Sequence, residues 1–267
     1  MTATSTATGW YVYGVVDPAG FELATPLGVG GGTSAQLVEH GSLAAIVSRV
    51  ALDEFDEAAL RERLNDRAWL EANALAHEEV LRAFAEVTAV VPLRFGTVYR
   101  ELANVGELLD ERSDELHASL AHVRGRVELG VKAWVDRDRL ESAQPGRPAT
   151  GTSATSTGRS YLEQRLHERD AAADAAELCA GIVHDAHERL LRLAVDGVVN
   201  RAQPRELTGR PEQMALNAAY LVAATDQARL AAEVARLDDE TRALGITFEL
   251  TGPWPAHNFV SGEEGRP

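Results

Sequence analysis

The chain has 267 residues, 45% apolar and 25% charged, a balance that fits folded cores in water and argues against disorder. Asp and Glu number 41 against 26 Lys and Arg, a formal charge of −15, so a grip on phosphate backbones or anionic lipid would work against the field of the whole molecule. Neither nucleic acid nor a membrane is expected as a partner, and with no basic head, apolar leader or membrane-length run the expected location is the cytoplasm.

Residues 1–9, mostly Thr, Ser and Ala, read as a disordered N-terminus, and a first α+β domain is expected over 10–141. It opens with Trp10-Tyr-Val-Tyr-Gly-Val-Val16, a β-branched and aromatic strand ending at the turn-favouring Asp17-Pro18. A glycine-rich stretch, expected to be a flexible loop, precedes Gln36–His40 and Leu43–Val50, which flank Gly41-Ser42 as the arms of a hairpin. From Asp56 to Val87 the period turns helical, with Trp69, Ala72, Ala76, Val80, Phe84 and Val87 as one apolar stripe and Asn65-Asp66 as a break. Ala89–Phe95 reads as a strand whose Pro92, lacking an amide donor, places it at an edge or a bulge. Short helices over Val105–Ala121 lead to an alternating strand, Arg126–Asp136.

Residues 142–160 hold no aromatic and no acid in an acid-rich chain, and read as a flexible linker. The second domain, 161–260, is expected as αββαβ: a helix from Tyr161 to about Leu191, strands near Leu193–Asn200 and Met214–Ala223, and a helix marked by Leu230, Val234, Leu237 and Leu244. Gly245 stands where a left-handed cap ends that helix, Ile246–Thr251 alternates as a last strand, and 261–267 form a tail. The order predicts antiparallel sheet with helices packed on one face, the α+β class.

Several segments approach catalytic motifs and stop short. Gly28-Val-Gly-Gly-Gly-Thr33 has Thr33 at the third glycine of a dinucleotide fingerprint, and Leu81 stands where a zinc-protease helix beginning at His77-Glu78 needs its second histidine. His77 is expected as a hydrogen-bonded residue at the core boundary, His184 and His187 as surface histidines, and Asp238-Asp239-Glu240 as a solvated helix face. The single cysteine, Cys179, reads as a small buried apolar residue. No enzyme, cofactor or metal site is expected.

A set of strings spread over the chain resembles the gas vesicle protein F/L family. They are Trp10–Val16, Trp69-Leu70 with His77-Glu78 and Val80-Leu81, Val91-Pro-Leu-Arg-Phe-Gly-Thr-Val-Tyr99, Gly125-Arg-Val-Glu-Leu-Gly-Val-Lys132, Gly158-Arg-Ser-Tyr-Leu162, Met214–Val222 and Gly252-Pro-Trp-Pro-Ala-His-Asn-Phe-Val260. Leu129 departs from a common aromatic, and Ala256-His257 from a common Pro-Tyr pair. The resemblance implies two α+β domains, the second a modified ferredoxin-like fold. It also implies an accessory role in gas vesicle assembly, as a minor vesicle component that contacts the major shell protein and, with it, other gas vesicle accessory proteins.

A shell subunit that presents an apolar face to gas needs that face or its strand edges covered before assembly, and a carrier can limit its aggregation during nucleation. Arg94, Phe95 and Tyr99 beside the Pro92 strand, with Trp254 and Phe259 near the end of the chain, are the candidate contacts, because arginine and aromatics dominate interface energies. Core packing by Phe95 and Trp254, and an acid partner for Arg94, are the competing readings. The alternative function is a small-molecule enzyme or ligand-binding module on the ferredoxin-like domain.

Overall fold

A computed structural model describes residues 7–18, 26–31, 33–143 and 158–260, with side chains of 158–168 and of 207 left out. The described residues fall into two compact units, those up to 127 together with 254–260, and those within 128–253. Most of the expected linker lies outside the described residues.

The first unit is built on five strands: β1 (Thr8–Val16), β2 (Gln36–His40), β3 (Leu43–Ala51), β4 (Val90–Pro92) and β5 (Val98–Tyr99). Their order is β2-β3-β1-β4, with β5 also paired to β1. The expected hairpin forms, His40 facing Leu43 across the two-residue turn. After β3 come α1 (Leu52–Phe55), α2 (Glu57–Arg63) and α3 (Arg67–Ala85). The break between the last two falls where it was expected, because the Asp66 carboxylate accepts the Trp69 amide at 3.2 Å and starts α3. The chain continues through β4 and β5 to α4 (Leu102–Glu111) and α5 (Ser113–Val123).

This sheet is covered on both faces, not on one. Tyr11, Tyr13, Val16, Ala44, Ile46 and Val50 pack with Phe55 of α1 and Val80, Leu81 and Phe84 of α3. Val12, Val15, Leu43, Ala45 and Val47 pack with Val105 and Leu109 of α4 and Leu116 and Leu120 of α5. The near-continuous apolar runs of β1 and β3 are the sequence mark of strands buried on both sides. Within β1 the pairing register shifts between Val12 and Gly14, so that the face parity changes and Val15 and Val16 keep their places on opposite cores.

The second sheet and its helices comprise β6 (Arg126–Val135), α6 (Arg137–Ala143), α7 (Gly158–Leu191), β7 (Asp196–Val199), α8 (Arg205–Thr208), β8 (Gln213–Ala223), α9 (Gln227–Thr241) and β9 (Ile246–Trp254), of which only Arg126, Val127 and Trp254 group with the first unit. This second sheet is antiparallel, with the order β7-β8-β6-β9. Together the two sheets and their helices make the α+β class.

The strand Arg126–Asp136, read with 10–141, thus belongs to the second sheet, and the last residues, read with 161–260, group with the first unit. Alternation in β6 specifies two faces but not which distant strands it pairs with. Gly245, in the left-handed region with φ +87°, ends the 3-10 turn Arg242–Leu244 that continues from α9, as its position suggests.

The 28–31 stretch differs from its expected looseness. Val29 is buried, its amide donates to the Tyr13 hydroxyl at 2.8 Å, and the Gly30 amide donates to Asn73 Oδ1 at 2.7 Å. A Cβ on Gly28 would stand 2.4 Å from the Tyr13 hydroxyl and 2.5 Å from Ser48 Oγ. Glycine serves here to let backbone approach a buried tyrosine, not a phosphate. Gly28→Ala is therefore expected to destabilise the protein by about 2 kcal/mol or more. Chemical denaturation checks this, with Gly181→Ala, where a Cβ meets nothing within 4 Å, as the mild control.

Candidate protein-interaction surface

The segment 93–99 is held from beneath by α3. Trp69 is half-buried, Asn73, His77, Val80, Leu81 and Phe84 are buried, and Ala72 and Val87 are exposed. The inward stripe is therefore rotated from the expected apolar one, because two polar residues on it find partners. Asn73 holds the 28–31 turn, while its amide donates to the Trp69 carbonyl at 2.9 Å.

His77, only 3% exposed, lies deeper than the boundary position expected of it. The Tyr11 hydroxyl accepts the Gly96 amide at 2.9 Å and lies 2.9 Å from His77 Nδ1. The neutral ring donates one N–H to the Leu93 carbonyl, which leaves Nδ1 to accept from the Tyr11 hydroxyl. One neutral imidazole thus ties β1 to both ends of the 93–96 excursion. Burial pushes its pKa down to about 4, with nearby Glu78 pulling upward and His257 pressing further down. Burial also raises the phenols of Tyr11 and Tyr13, so both stay protonated and available as donors. The Tyr13 hydroxyl accepts the Val29 amide and shares a hydrogen bond with Ser48 Oγ at 2.7 Å.

The excursion interrupts an edge strand. Gly14 faces Pro92 and Val16 faces Val90, whereas Trp10 faces Tyr99 and Tyr11 faces Val98. Both β4 and β5 therefore run along the same side of β1, with 93–97 looped between them. The Leu93 amide on Tyr13 and the Val12 amide on Thr97, at 2.8 and 2.9 Å, keep the loop pinned to β1. Arg94 projects from it and is exposed. The Phe95 ring packs inward, with centroids 5.8 Å from His77, 6.1 Å from Tyr11 and 6.3 Å from Trp69. Tyr99 is half-buried over the opposite core, and burial raises its phenol.

The end of the described chain joins the same unit. His257 Nε2 lies 3.0 Å from Glu78 Oε1, next along α3 from the imidazole that holds Leu93. Burial alone would raise the Glu78 carboxyl, but the hydrogen bond and charge of His257, with His77, hold it below the usual range. Ala256 and Phe259 are buried, and Val260 packs on the core that also receives Tyr99. Trp254 is 45% exposed, whereas Phe259 is 8% exposed. The five predicted residues thus share one unit but divide by role: Arg94 and Trp254 face out, Tyr99 is partly accessible, and Phe95 and Phe259 anchor their segments.

Tyr11, Tyr13 and Asn73, which set this geometry, were not singled out by sequence reasoning. The i, i+2 tyrosines of β1 and the i, i+4 spacing of Trp69, Asn73 and His77 were the available signal.

In the second unit, His187 is half-buried, its Nδ1 2.7 Å from the Tyr220 hydroxyl, and only His184 matches the surface expectation. Both border a cleft of about 460 Å³ between α7 and the sheet, along with Ala175, Val183 and Leu216. Cys179 is half-buried on the same wall, not fully enclosed, and burial raises its thiol. Asp238, expected on a solvated face, is 9% exposed and accepts the Phe248 amide at 2.9 Å while pairing with Arg242. Among the described residues no group of three or more His, Cys, Asp or Glu is placed to hold a metal ion, and no helix is long and apolar enough to cross a membrane.

Two antiparallel sheets with an outward-facing loop pinned by a buried polar relay define an α+β scaffold that presents a surface. The model of the gas vesicle synthesis protein GvpL/GvpF family matches residues 9–261, and the chain belongs to that family. It is 38% identical over 252 residues to gas vesicle protein L of Streptomyces sp. (strain CB03234), covering 94% of this chain and 92% of the relative. Gas vesicle protein F2 of Halobacterium salinarum is 26% identical over 253 residues, covering 94% and 91%. The crystal structure of GvpF from Anabaena sp. PCC7120 superposes with a TM-score of 0.71 at 18% identity, covering 97% of this chain and 99% of that one. GvpF from Microcystis aeruginosa gives 0.68, also at 18%, covering 95% and 99%. These likenesses in structure establish a shared fold.

The His77 relay makes a pH prediction. Its folded pKa of about 4 lies below the unfolded value of 6.5, so above 6.5 both states are neutral and the group contributes nothing to the pH dependence. As pH falls from 6.5 toward 4 the unfolded chain takes up the proton first and stability drops, by about 3 kcal/mol from this group. The lowered Glu78 carboxyl loses stability in the same direction as pH falls through its range. Denaturation from pH 7 to 4.5 should show this slope, and His77→Gln should lower stability at pH 7 while flattening it.

Proposed function

We propose that this protein is a cytoplasmic accessory factor of gas vesicle assembly that binds the major shell protein and limits its aggregation during nucleation. Membership of the gas vesicle synthesis family supports the assembly role. The observation that carries the binding reading is the 93–99 loop: an exposed Arg94 on a pinned excursion, in the same unit as an exposed Trp254. Preorganisation of this kind lowers the ordering cost of binding.

Pro92 and the loop interrupt the edge, so a long added strand has no continuous ladder to join. Contact is then made by side chains, with Arg94, Tyr99 and Trp254 touching the shell protein and Phe95 and Phe259 fixing the segments that carry them. A formal charge of −15 keeps a complex of carrier and apolar subunit in solution. The protein is associated with the vesicle, contacts further accessory proteins there, and has no catalytic step, cofactor or metal in this reading.

We also infer that the second unit is a modified ferredoxin-like domain. Its succession β6-α7-β7-β8-α9-β9 and sheet order β9-β6-β8-β7 support that, with α6 and α8 as additions. The 460 Å³ cleft beside α7 is the observation that favours the second reading, a ligand-binding module, and its lining is mostly apolar.

Co-expression of the tagged chain with the major shell protein, followed by affinity capture and sizing, tests the proposal. A soluble complex of defined size is expected. Arg94→Ala and Trp254→Ala should each lower shell-protein recovery several-fold or more, with an unchanged melting temperature. Unchanged recovery with both folded variants removes these residues from the contact, and a chain that elutes alone beside aggregated shell protein removes the carrier role.

A further inference from the structure

The second unit carries a basic cleft on an acidic chain. The end of α7 and the first three turns of α9 bring Arg189, Arg192, Arg229 and Arg236 to an open cleft of about 530 Å³, with Leu193 and Ala232 as its apolar lining. Acids outnumber bases 41 to 26 over the chain, so four arginines in one cleft do not follow from composition.

Two of the four are engaged. Arg189 bonds Glu233 at 2.6 Å and Glu240 at 2.7 Å, and Arg236 bonds Glu233 at 2.6 Å. Glu233, with a side chain 13% exposed, is the fixed centre of this ladder. Arg192 and Arg229 are exposed and have no ion pair among the described residues. Arg229 sits in the first turn of α9, just after its N-cap residue Asp226.

We propose that this cleft docks an acidic segment of a protein partner, its carboxylates pairing with Arg192 and Arg229 and an intervening apolar residue resting on Leu193 and Ala232. Arginine forks match carboxylates two bonds at a time. A continuous polyanion such as a nucleic acid or polyphosphate fits poorly, because Glu233 and Glu240 stand within the arginine ladder and break its run of positive charge. A peptide alternates charge with apolar side chains and meets both parts of the lining. The cleft lies in the unit that does not carry 93–99, and the inference does not depend on the shell-protein reading.

Fluorescence anisotropy of the full chain with a short labelled peptide of repeating Glu-Leu-Asp tests it. Saturable, salt-sensitive binding is expected, weakened about tenfold or more in an Arg192→Glu/Arg229→Glu variant, the scale of a lost charge pair. An Arg82→Glu/Arg201→Glu variant changes the net charge equally and should bind as the parent does. Equal weakening in both variants, or no saturable binding, overturns the proposal. So does tripolyphosphate competing better than unlabelled peptide, or a chain–chain dimer that the Arg192→Glu/Arg229→Glu variant alone abolishes.

Discussion

A neutral imidazole, buried where the tyrosines of β1 meet the 93–96 excursion, is the constraint that shapes the first unit. His77 accepts a hydrogen bond from the Tyr11 hydroxyl at Nδ1 and donates one to the Leu93 carbonyl, while Tyr11 accepts from the Gly96 amide. Each member is satisfied only if the others hold position, and an unsatisfied polar group at this depth costs about 1–3 kcal/mol. The relay therefore selects one arrangement of α3, β1 and the loop. The Tyr13–Val29 and Asn73–Gly30 bonds extend the same logic to the turn on the other side of the tyrosine pair. Rigidity at the loop's root is what allows an exposed Arg94 to be presented in a set direction.

Much of the architecture was legible where physics is local. The Gly41-Ser42 hairpin, the helix break at Asn65-Asp66 and the left-handed Gly245 each depend on a few neighbouring residues, and each appears where it was expected. Non-local choices were not legible. Leu129, Val131, Ala133 and Val135 alternate equally well in either sheet, and only tertiary pairing puts β6 beside β8 and β9. The covering of both faces of the first sheet was written in the apolar runs of β1 and β3, but a short apolar run does not say what lies over it.

The candidate surface was legible in part for the same reason. Arg94, Phe95 and Tyr99 stood out as residue types near an edge, yet sequence does not separate a ring that faces out from one that fills an aromatic cluster. Phe95 packs among His77, Tyr11 and Trp69, and Phe259 is buried, whereas Trp254 remains accessible. Acidic runs misled in a related way: Asp238 bonds the Phe248 amide, and Glu240 belongs to the Arg189 ladder. Charge along a helix reads as solvent until a partner on another element is known.

In the function proposed, the pinned 93–99 loop is the face turned to the shell protein. Amide hydrogen exchange on the soluble complex, compared with the free chain, addresses it residue by residue. Slower exchange confined to 93–99 and to the stretch around Trp254 is the predicted result. Exchange unchanged there, with protection appearing elsewhere on the chain, would rule out the loop as the contact face.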